Sequence, residues 1–442
     1  MKNKYYLLSS FLSIFLSFNL IAEERLEDLT FDGIQEINLI IDQEDYIDLI
    51  RSSLFEQPEF KYAVSLSAEQ EFNLKYARRS RFGVLSSNIV NDESFDRNIT
   101  DNQSVRKRRD DSFDANVEFR QPIYSGGGIN AAIDAAKNKD SNLSNEKQNS
   151  ISKLILDANS KYLDSVTSNF VYNYSKDLLE ILKPYKDKVN DRISSGIMDP
   201  VDAALFNVRY NRIETLVYQL KSLSEISINN FYYFFKVEYE NRGFPKILIN
   251  KNDINKSRNS YEVDTAKFTY AEKKAGIRSA RSEYLPKFGV SARYTKYDID
   301  DDSNEDDIRG GLYFSLPLFS FGRGFAQINS AKAAAEASRN AINISEKDDL
   351  VNESSIDSKF ENAINNKSIF LQSFNETVNQ RKTLEDRIEL SGFAANAFAE
   401  VVINEITQLK TLLDNENEIF GGYLALLHQN QQLNNKFRIE LN

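Results

Sequence analysis

Apolar positions along this chain recur at two periods, and the periods change in the same order twice. A helical stretch opens each half, Gln43 to Arg79 and then Tyr261 to Glu283. Two alternating segments follow in each. Phe113, Ala115, Val117 and Phe119 alternate with Asp114, Asn116, Glu118 and Arg120. Phe288, Val290, Ala292 and Tyr294 alternate with Gly289, Ser291, Arg293 and Thr295. Ile308, Gly310, Leu312, Phe314 and Leu316 alternate with Arg309, Gly311, Tyr313 and Ser315, and Phe82 to Val90 is a poorer fourth member. A period of two with one apolar face is a strand signal. It predicts strands over 82–90, 112–122, 287–297 and 308–318. Runs of about ten residues suit a tilted strand crossing an outer membrane; four strands of a soluble sheet would carry the same pattern.

After each strand pair the period lengthens. From Gly128 to about Ser195 apolar residues stand three and four apart, among them Ile151, Leu154, Ala158, Tyr162, Val166 and Phe170. This predicts a long helix over 128–195, on the order of 100 Å at 1.5 Å per residue. Gly196-Ile-Met-Asp-Pro200 breaks it, with Gly196 and Asp199 at the tip, and a returning helix is expected over 201–237. In the second half the expectation is a long helix over 323–403 and a return over 405–440, with Asn404 and Glu405 at the tip. Proline removes a ladder donor, so Pro122 and Pro317 are expected to end the second strand of each pair. Gly127 and Gly322 then permit the turn into the helix.

The two halves also match residue by residue. Phe119-Arg-Gln-Pro-Ile-Tyr-Ser-Gly-Gly127 stands 195 positions before Phe314-Ser-Leu-Pro-Leu-Phe-Ser-Phe-Gly322, and Ala136-Lys137 stands as far before Ala331-Lys332. Phe82-Gly-Val84 matches Phe288-Gly-Val290 at an offset of 206. A repeat this long is a duplicated half-fold, not a solenoid, whose periods run to about 20–50 residues. The expected organisation is a first repeat over 23–242, a connector over 243–258 and a second repeat over 259–442.

Composition narrows the class. The chain has 442 residues with 16 glycines and 7 prolines, which suits long helices. Its mean hydropathy of −0.50 excludes a multi-span helical membrane protein. It does not exclude a transmembrane β-barrel, whose strands are only half apolar. Lys2, Lys4, the mostly apolar Tyr5 to Ile21 and the small Ala22 predict a secretory signal over 1–22; an uncleaved anchor helix is the other reading. No cysteine is present, so there is neither a disulfide framework nor a lipid-attachment cysteine. Net charge is −11, or about −13 without Lys2 and Lys4, which argues against nucleic acid as a partner.

Two loops between strands are charged. Asn91 to Asp111 contains Arg106-Lys-Arg-Arg109, and Asp298 to Asp307 holds seven carboxylates in ten residues. Asp300, Asp302 and Asn304 start like a calcium loop, but its glycine turn and distal glutamate are absent, so a solvated, self-repelling loop is the expectation. No catalytic or cofactor site is expected. His428 is the one histidine and has no metal-binding companion on its helix, and Ser125-Gly-Gly-Gly128 is not followed by the Lys-Ser/Thr of a phosphate loop.

The order strand, strand, Pro-aliphatic-aromatic-Ser-x-Gly, long helix, turn, returning helix, twice over, resembles the TolC family of outer-membrane efflux proteins across about residues 43–442. Ala280-Arg-Ser-Glu-Tyr-Leu-Pro286 resembles that family's approach to a barrel strand, and Arg192-Ile-Ser-Ser-Gly196 its first periplasmic tip. Thr411-Leu-Leu-Asp-Asn-Glu-Asn-Glu-Ile-Phe420 is similar to its second return helix, especially in the branch serving type I secretion. The resemblance implies an α+β membrane protein, a homotrimer in which each protomer gives four strands to a twelve-stranded barrel. It implies antiparallel, coiled-coil-like helices forming a periplasmic tunnel below the outer membrane of a Gram-negative bacterium. It also implies a periplasmic adaptor and an inner-membrane ABC exporter or proton-driven pump as partners, and a periplasmic gate at Thr411 and Asp414. The residues agree on one physical point: four strands cannot close a barrel, and open edges cannot face lipid. The expected function is passive export, with type I protein secretion ahead of small-molecule efflux. A periplasmic coiled-coil adaptor or scaffold is the reading from another class, and it leaves the four strands unexplained.

Overall fold

The computed structural model describes residues 40–93, 111–240, 242–246, 249, 254–256, 259–297, 299, 306–390 and 394–439. The expected signal over 1–22, the basic run 106–109 and most of the acidic loop 298–307 lie outside the described residues.

The elements begin with β1 (Ile40–Ile41), α1 (Gln43–Leu54), α2 (Pro58–Arg79), β2 (Val84–Glu93) and β3 (Asp111–Ser125). Then come α3 (Gly128–Ser194), α4 (Pro200–Phe235), β4 (Phe244–Pro245), α5 (Tyr261–Ser282), β5 (Lys287–Lys296) and β6 (Asp306–Ser315). The chain closes with α6 (Arg323–Leu390), α7 (Ala395–Gln429) and α8 (Leu433–Lys436). The order helix, strand, strand, long helix, shorter helix therefore occurs twice. The first helical stretch is two helices rather than one. Pro58 has no N–H to give a continuing helix and disfavours the helical conformation at Gln57, so it opens α2 instead.

Two compact units divide the chain, and they are not the two repeats. One takes residues 1–64, 147–261 and 347–442; the other takes 65–146 and 262–346. Each unit draws on both halves of the sequence, because elements of one half pack against elements of the other.

The first unit has a conventional interior. Leu154, Ile155, Ala158, Tyr162 and Val166 of α3, Phe206, Tyr210, Ile213 and Leu220 of α4, and Phe398, Val402, Leu409 and Leu412 of α7 are all buried in one cluster. Each large side chain so buried is worth about 1.5–3 kcal/mol. Helix α1 docks through Tyr46, whose ring lies 4.8 Å from that of Tyr162 and 6.2 Å from that of Phe420. Its hydroxyl donates to Asn159 Oδ1 at 2.5 Å. The Tyr162 hydroxyl donates to the Gly243 carbonyl at 2.7 Å. Burial raises the pKa of both phenols, so each stays a donor. The two-residue strands β1 and β4 pair in parallel beside this cluster.

The second unit is built the other way round. Its described buried apolar residues are few and mostly small: Leu74, Ala131, Ile133, Val263, Ala275, Ala280 and Ala335. Its large apolar side chains are outside, on a four-stranded antiparallel sheet of order β2-β3-β5-β6.

Candidate functional site: sheet faces, turns and helix tips

Strand register separates the sheet into two faces. Leu85 stands opposite Phe119, and Phe119 opposite Ala292; Val117 stands opposite Tyr294, and Tyr294 opposite Ile308. Tyr124, Phe288 and Phe314 form one row of the same face, and Val290 and Leu312 another. This apolar face is open, with Leu312 83% exposed. The opposite face carries Asn88, Asn116, Glu118, Arg120, Ser291, Arg293, Thr295, Asp307 and Arg309. Ten residues of β5 at about 3.3 Å each span about 33 Å, or about 25 Å when tilted by about 40°, the height of an outer-membrane apolar band. The sheet's outer strands, β2 and β6, each have one neighbour within the chain.

Both strand pairs leave the sheet by a left-handed turn. Gly126 and Gly127 have φ of 64° and 82°. A Cβ on Gly126 would lie 2.8 Å from Leu285 Cβ, so glycine is required there for space as well as for backbone. The Ser125 hydroxyl then accepts from the Ile129 N–H at 3.1 Å and starts α3. In the second turn Gly322 matches Gly127 with φ 82°, but Phe321 occupies the Gly126 position at φ 49°. Pro122 does not end its strand. β3 runs on to Ser125, and a register shift between Pro122 and Tyr124 absorbs the missing donor. Pro317 lies beyond the end of β6.

The first helical tip is capped on both sides. Gly196 has φ 66°, and the Ile197 N–H reaches back to the Arg192 carbonyl at 2.9 Å, closing α3. Asp199 Oδ1 accepts from the Val201 N–H at 2.8 Å, with Pro200 at the first position of α4.

The second tip is not at Asn404 and Glu405. Helix α6 ends at Leu390 and α7 starts at Ala395, so the long helix is 323–390 rather than 323–403, and α7 replaces the expected return over 405–440. Asn404 and Glu405 lie inside α7 because its inward stripe passes this point without a break: Phe398, Val402, Glu405, Leu409, Leu412, Glu416, Ile419 and Tyr423 are all buried, while Asn404 is on the exposed side. Glu405 is 0% exposed. Its Oε2 accepts from Arg381 Nε of α6 at 2.7 Å, and its Oε1 from the Tyr174 hydroxyl of α3 at 2.5 Å. Burial by itself would lower the Arg381 pKa, but the Glu405 carboxylate outweighs it and holds the guanidinium above its ordinary value. Glu416 is likewise buried, 3.0 Å from Lys367 of α6. Nearer the start of α7, Arg209 Nε of α4 meets Glu400 Oε2 at 2.9 Å, and Asn396 Nδ2 donates to the Asp202 carbonyl at 2.9 Å.

Thr411 and Asp414 lie four to five turns along α7 from Ala395, about 24–28 Å at 1.5 Å per residue. The Thr411 hydroxyl donates to its own helix at the Thr407 carbonyl. Asp414 Oδ2 pairs with Lys410 at 2.5 Å. Lys410 and Asp414, but not Thr411, border a cavity of about 400 Å³ together with Lys161, Asp164 and Leu220. Burial, and then the charge of Asp414, raises the pKa of Asp164.

His428 Nδ1 lies 2.7 Å from the Ser152 hydroxyl. Among the described residues no group of three His, Cys, Asp or Glu side chains is placed to hold a metal ion, and no helix is long and apolar enough to cross a membrane.

No protein-family model and no curated protein matches the sequence. Solved structures do match. VceC, an outer-membrane protein from Vibrio cholerae, superposes with a TM-score of 0.72 at 14% identity, over 87% of this chain and 96% of that one. The Campylobacter jejuni CmeC outer-membrane channel gives 0.74 at 12% identity, over 92% and 91%. The chain has the TolC-like fold. The open state of the Neisseria gonorrhoeae MtrE outer-membrane channel gives 0.69 at 14% identity, over 92% and 94%. Nearly the whole length of each channel is covered, so the TolC-like fold accounts for the sheet and for both pairs of long helices.

Proposed function

We propose that this chain is one protomer of a homotrimeric outer-membrane exit duct. The observation that carries the reading is the inverted second unit, whose sheet exposes an apolar face and covers a polar one with charge. Such a face belongs against lipid. Four strands leave two edges, and unpaired edges cannot stand in hydrocarbon. Three copies joined edge to edge, β6 on the next copy's β2, give a closed twelve-stranded barrel. The polar face then lines the lumen, and the second repeat is a structural copy of the first. The helices that leave the sheet, α3 and α6, lead to the periplasmic side. The periplasmic gate is assigned to Thr411 and to Asp414, which pairs with Lys410, on α7.

The duct conducts passively, fed by a periplasmic adaptor and an inner-membrane pump. Thr411 to Phe420 favours secreted polypeptide as cargo; small-molecule efflux is the other reading. Outer-membrane fractionation tests the duct, with a trimer band that survives detergent and collapses on boiling as the expected result. A soluble periplasmic monomer overturns it. Loss of one secreted protein in a deletion strain supports secretion; sensitivity to toxic compounds without that loss supports efflux.

A further inference from the structure

The polar face of the sheet carries three arginines that closure of a barrel does not need. We propose that Arg120, Arg293 and Arg309 form a lumen belt that selects anionic, carboxylate-bearing cargo, an inference that rests on the duct reading. Arg293 of β5 and Arg309 of β6 are direct cross-strand partners, and Glu118 of β3 is the partner of Arg293 on its other side. Like charges directly opposite each other weaken a sheet. The pair is therefore placed against stability and for another use.

The two carboxylates of the belt are covered by the arginines beside them. Glu118 Oε2 accepts from Arg293 at 3.0 Å and its Oε1 from Arg120 at 3.2 Å, while Arg309 pairs with Asp307. The side chains of Arg309, Arg120 and Arg293 are 77, 61 and 51% exposed, against 30% for Asp307 and 19% for Glu118. Solvent on this face meets guanidinium donors. Two adjacent rows, Glu118-Arg293-Arg309 and Arg120-Ser291-Gly311, hold three arginines against one carboxylate. With Asp307 counted beside Arg309, three copies would bring nine arginines against six carboxylates around one lumen.

The belt is also held in place. The Arg120 guanidinium lies over the Tyr313 ring, 5.4 Å from its centre. Gly289, the cross-strand partner of Tyr313, makes room for that ring: a Cβ there would come 2.5 Å from the Tyr313 hydroxyl oxygen. A planar guanidinium fork matches a carboxylate in two hydrogen bonds, and low-dielectric walls around a charged lumen focus the field of such a ring. The belt therefore takes carboxylates one after another, whether from an acidic polypeptide or from a small organic acid.

Purified full-length protein in a planar lipid bilayer under a potassium chloride gradient separates this inference from the reading beneath it. Absence of any wild-type conductance fails the duct itself. With conductance, the wild type is compared with Arg309→Gln and with the triple variant Arg120→Gln, Arg293→Gln, Arg309→Gln. Each is first checked for the detergent-resistant trimer band. Arg309→Gln leaves the Glu118 pairs intact, so it reads the belt even where the triple variant fails to assemble. The expected result is a reversal potential shifted toward potassium in Arg309→Gln and further in the triple variant. Oligoglutamate is expected to interrupt wild-type current more than oligolysine at equal length. Interruption by oligoglutamate but not by free glutamate points to polypeptide; interruption by both includes small acids. An unchanged reversal potential in assembled Arg309→Gln, or stronger block by oligolysine, overturns the belt.

Discussion

Replacing Arg381 by methionine strands a carboxylate that has no access to water. Glu405 is 0% exposed and is held by the guanidinium at 2.7 Å and the Tyr174 hydroxyl at 2.5 Å. Removing one partner of a buried ion pair costs about 3–5 kcal/mol, most of it the uncompensated charge that remains. Tyr174→Phe removes one hydrogen bond to a charged acceptor and is expected to cost about 1.5–3 kcal/mol. The double variant Arg381→Met with Glu405→Leu buries apolar side chains in place of both charges. It is expected to fall near the wild type or up to about 1–4 kcal/mol above it. The assay is urea unfolding of the full-length protein in detergent, followed by far-ultraviolet circular dichroism, on all four proteins in parallel. Restoration of stability in the double variant is the decisive sign, since it shows that Arg381 matters because of Glu405. The reasoning fails if Arg381→Met lies within about 1 kcal/mol of the wild type, or if the double variant is as unstable as Arg381→Met alone.

Three other outcomes are expected. In the paired left-handed turns, Phe321→Gly should gain about 1 kcal/mol in urea unfolding, whereas Gly126→Ala should lose at least as much, because L residues pay about 1–2 kcal/mol there; equal signs would refute the turn argument. Asp164→Asn should stabilise the protein at neutral pH. The folded Asp164 holds its proton more tightly than the unfolded chain does, so its carboxylate costs stability above its raised pKa. The gain should fade on acidification and vanish below about pH 3.9, the unfolded value, and thermal melts across that window check the sign. On the apolar face, Leu312→Lys should cost about 2–4 kcal/mol in membrane assembly, while Arg309→Lys on the other face should assemble normally. Quantifying the detergent-resistant trimer distinguishes them, and similar losses in both would reverse the assignment of faces.

Local chemistry made much of the architecture legible in the residues. Alternation over Phe113–Arg120 and Phe288–Thr295 specified which side chains share a face, because a strand's period of two leaves no other arrangement once the register is known. Gly196 and Asp199-Pro200 marked the first tip for the same kind of reason, since a left-handed glycine and a capping aspartate act within four residues of themselves. The second tip falls away from Asn404 and Glu405 because the buried stripe from Phe398 to Tyr423 is continuous, and the repeat spacing marks where the break falls instead. The offset of 195 carries Gly196 to position 391, between the end of α6 at Leu390 and the start of α7 at Ala395. The buried role of Glu405 also had a signal: it stands in step with Val402 and Leu409 on the inward stripe, an acid where the pattern asks for an apolar residue.

What the sequence by itself determined is local and periodic: the strands, the long helices, the left-handed turns, and the division of each strand into apolar and polar edges. Those depend on interactions a few residues apart. Tertiary structure alone decided the rest, because it depends on residues far apart in the chain. It paired β3 with β5 across the two repeats, drew each compact unit from both halves, and set Arg381 and Tyr174 on Glu405. It also set Arg293 against Arg309 on one face of the sheet, a neighbourhood that no spacing along a single strand contains.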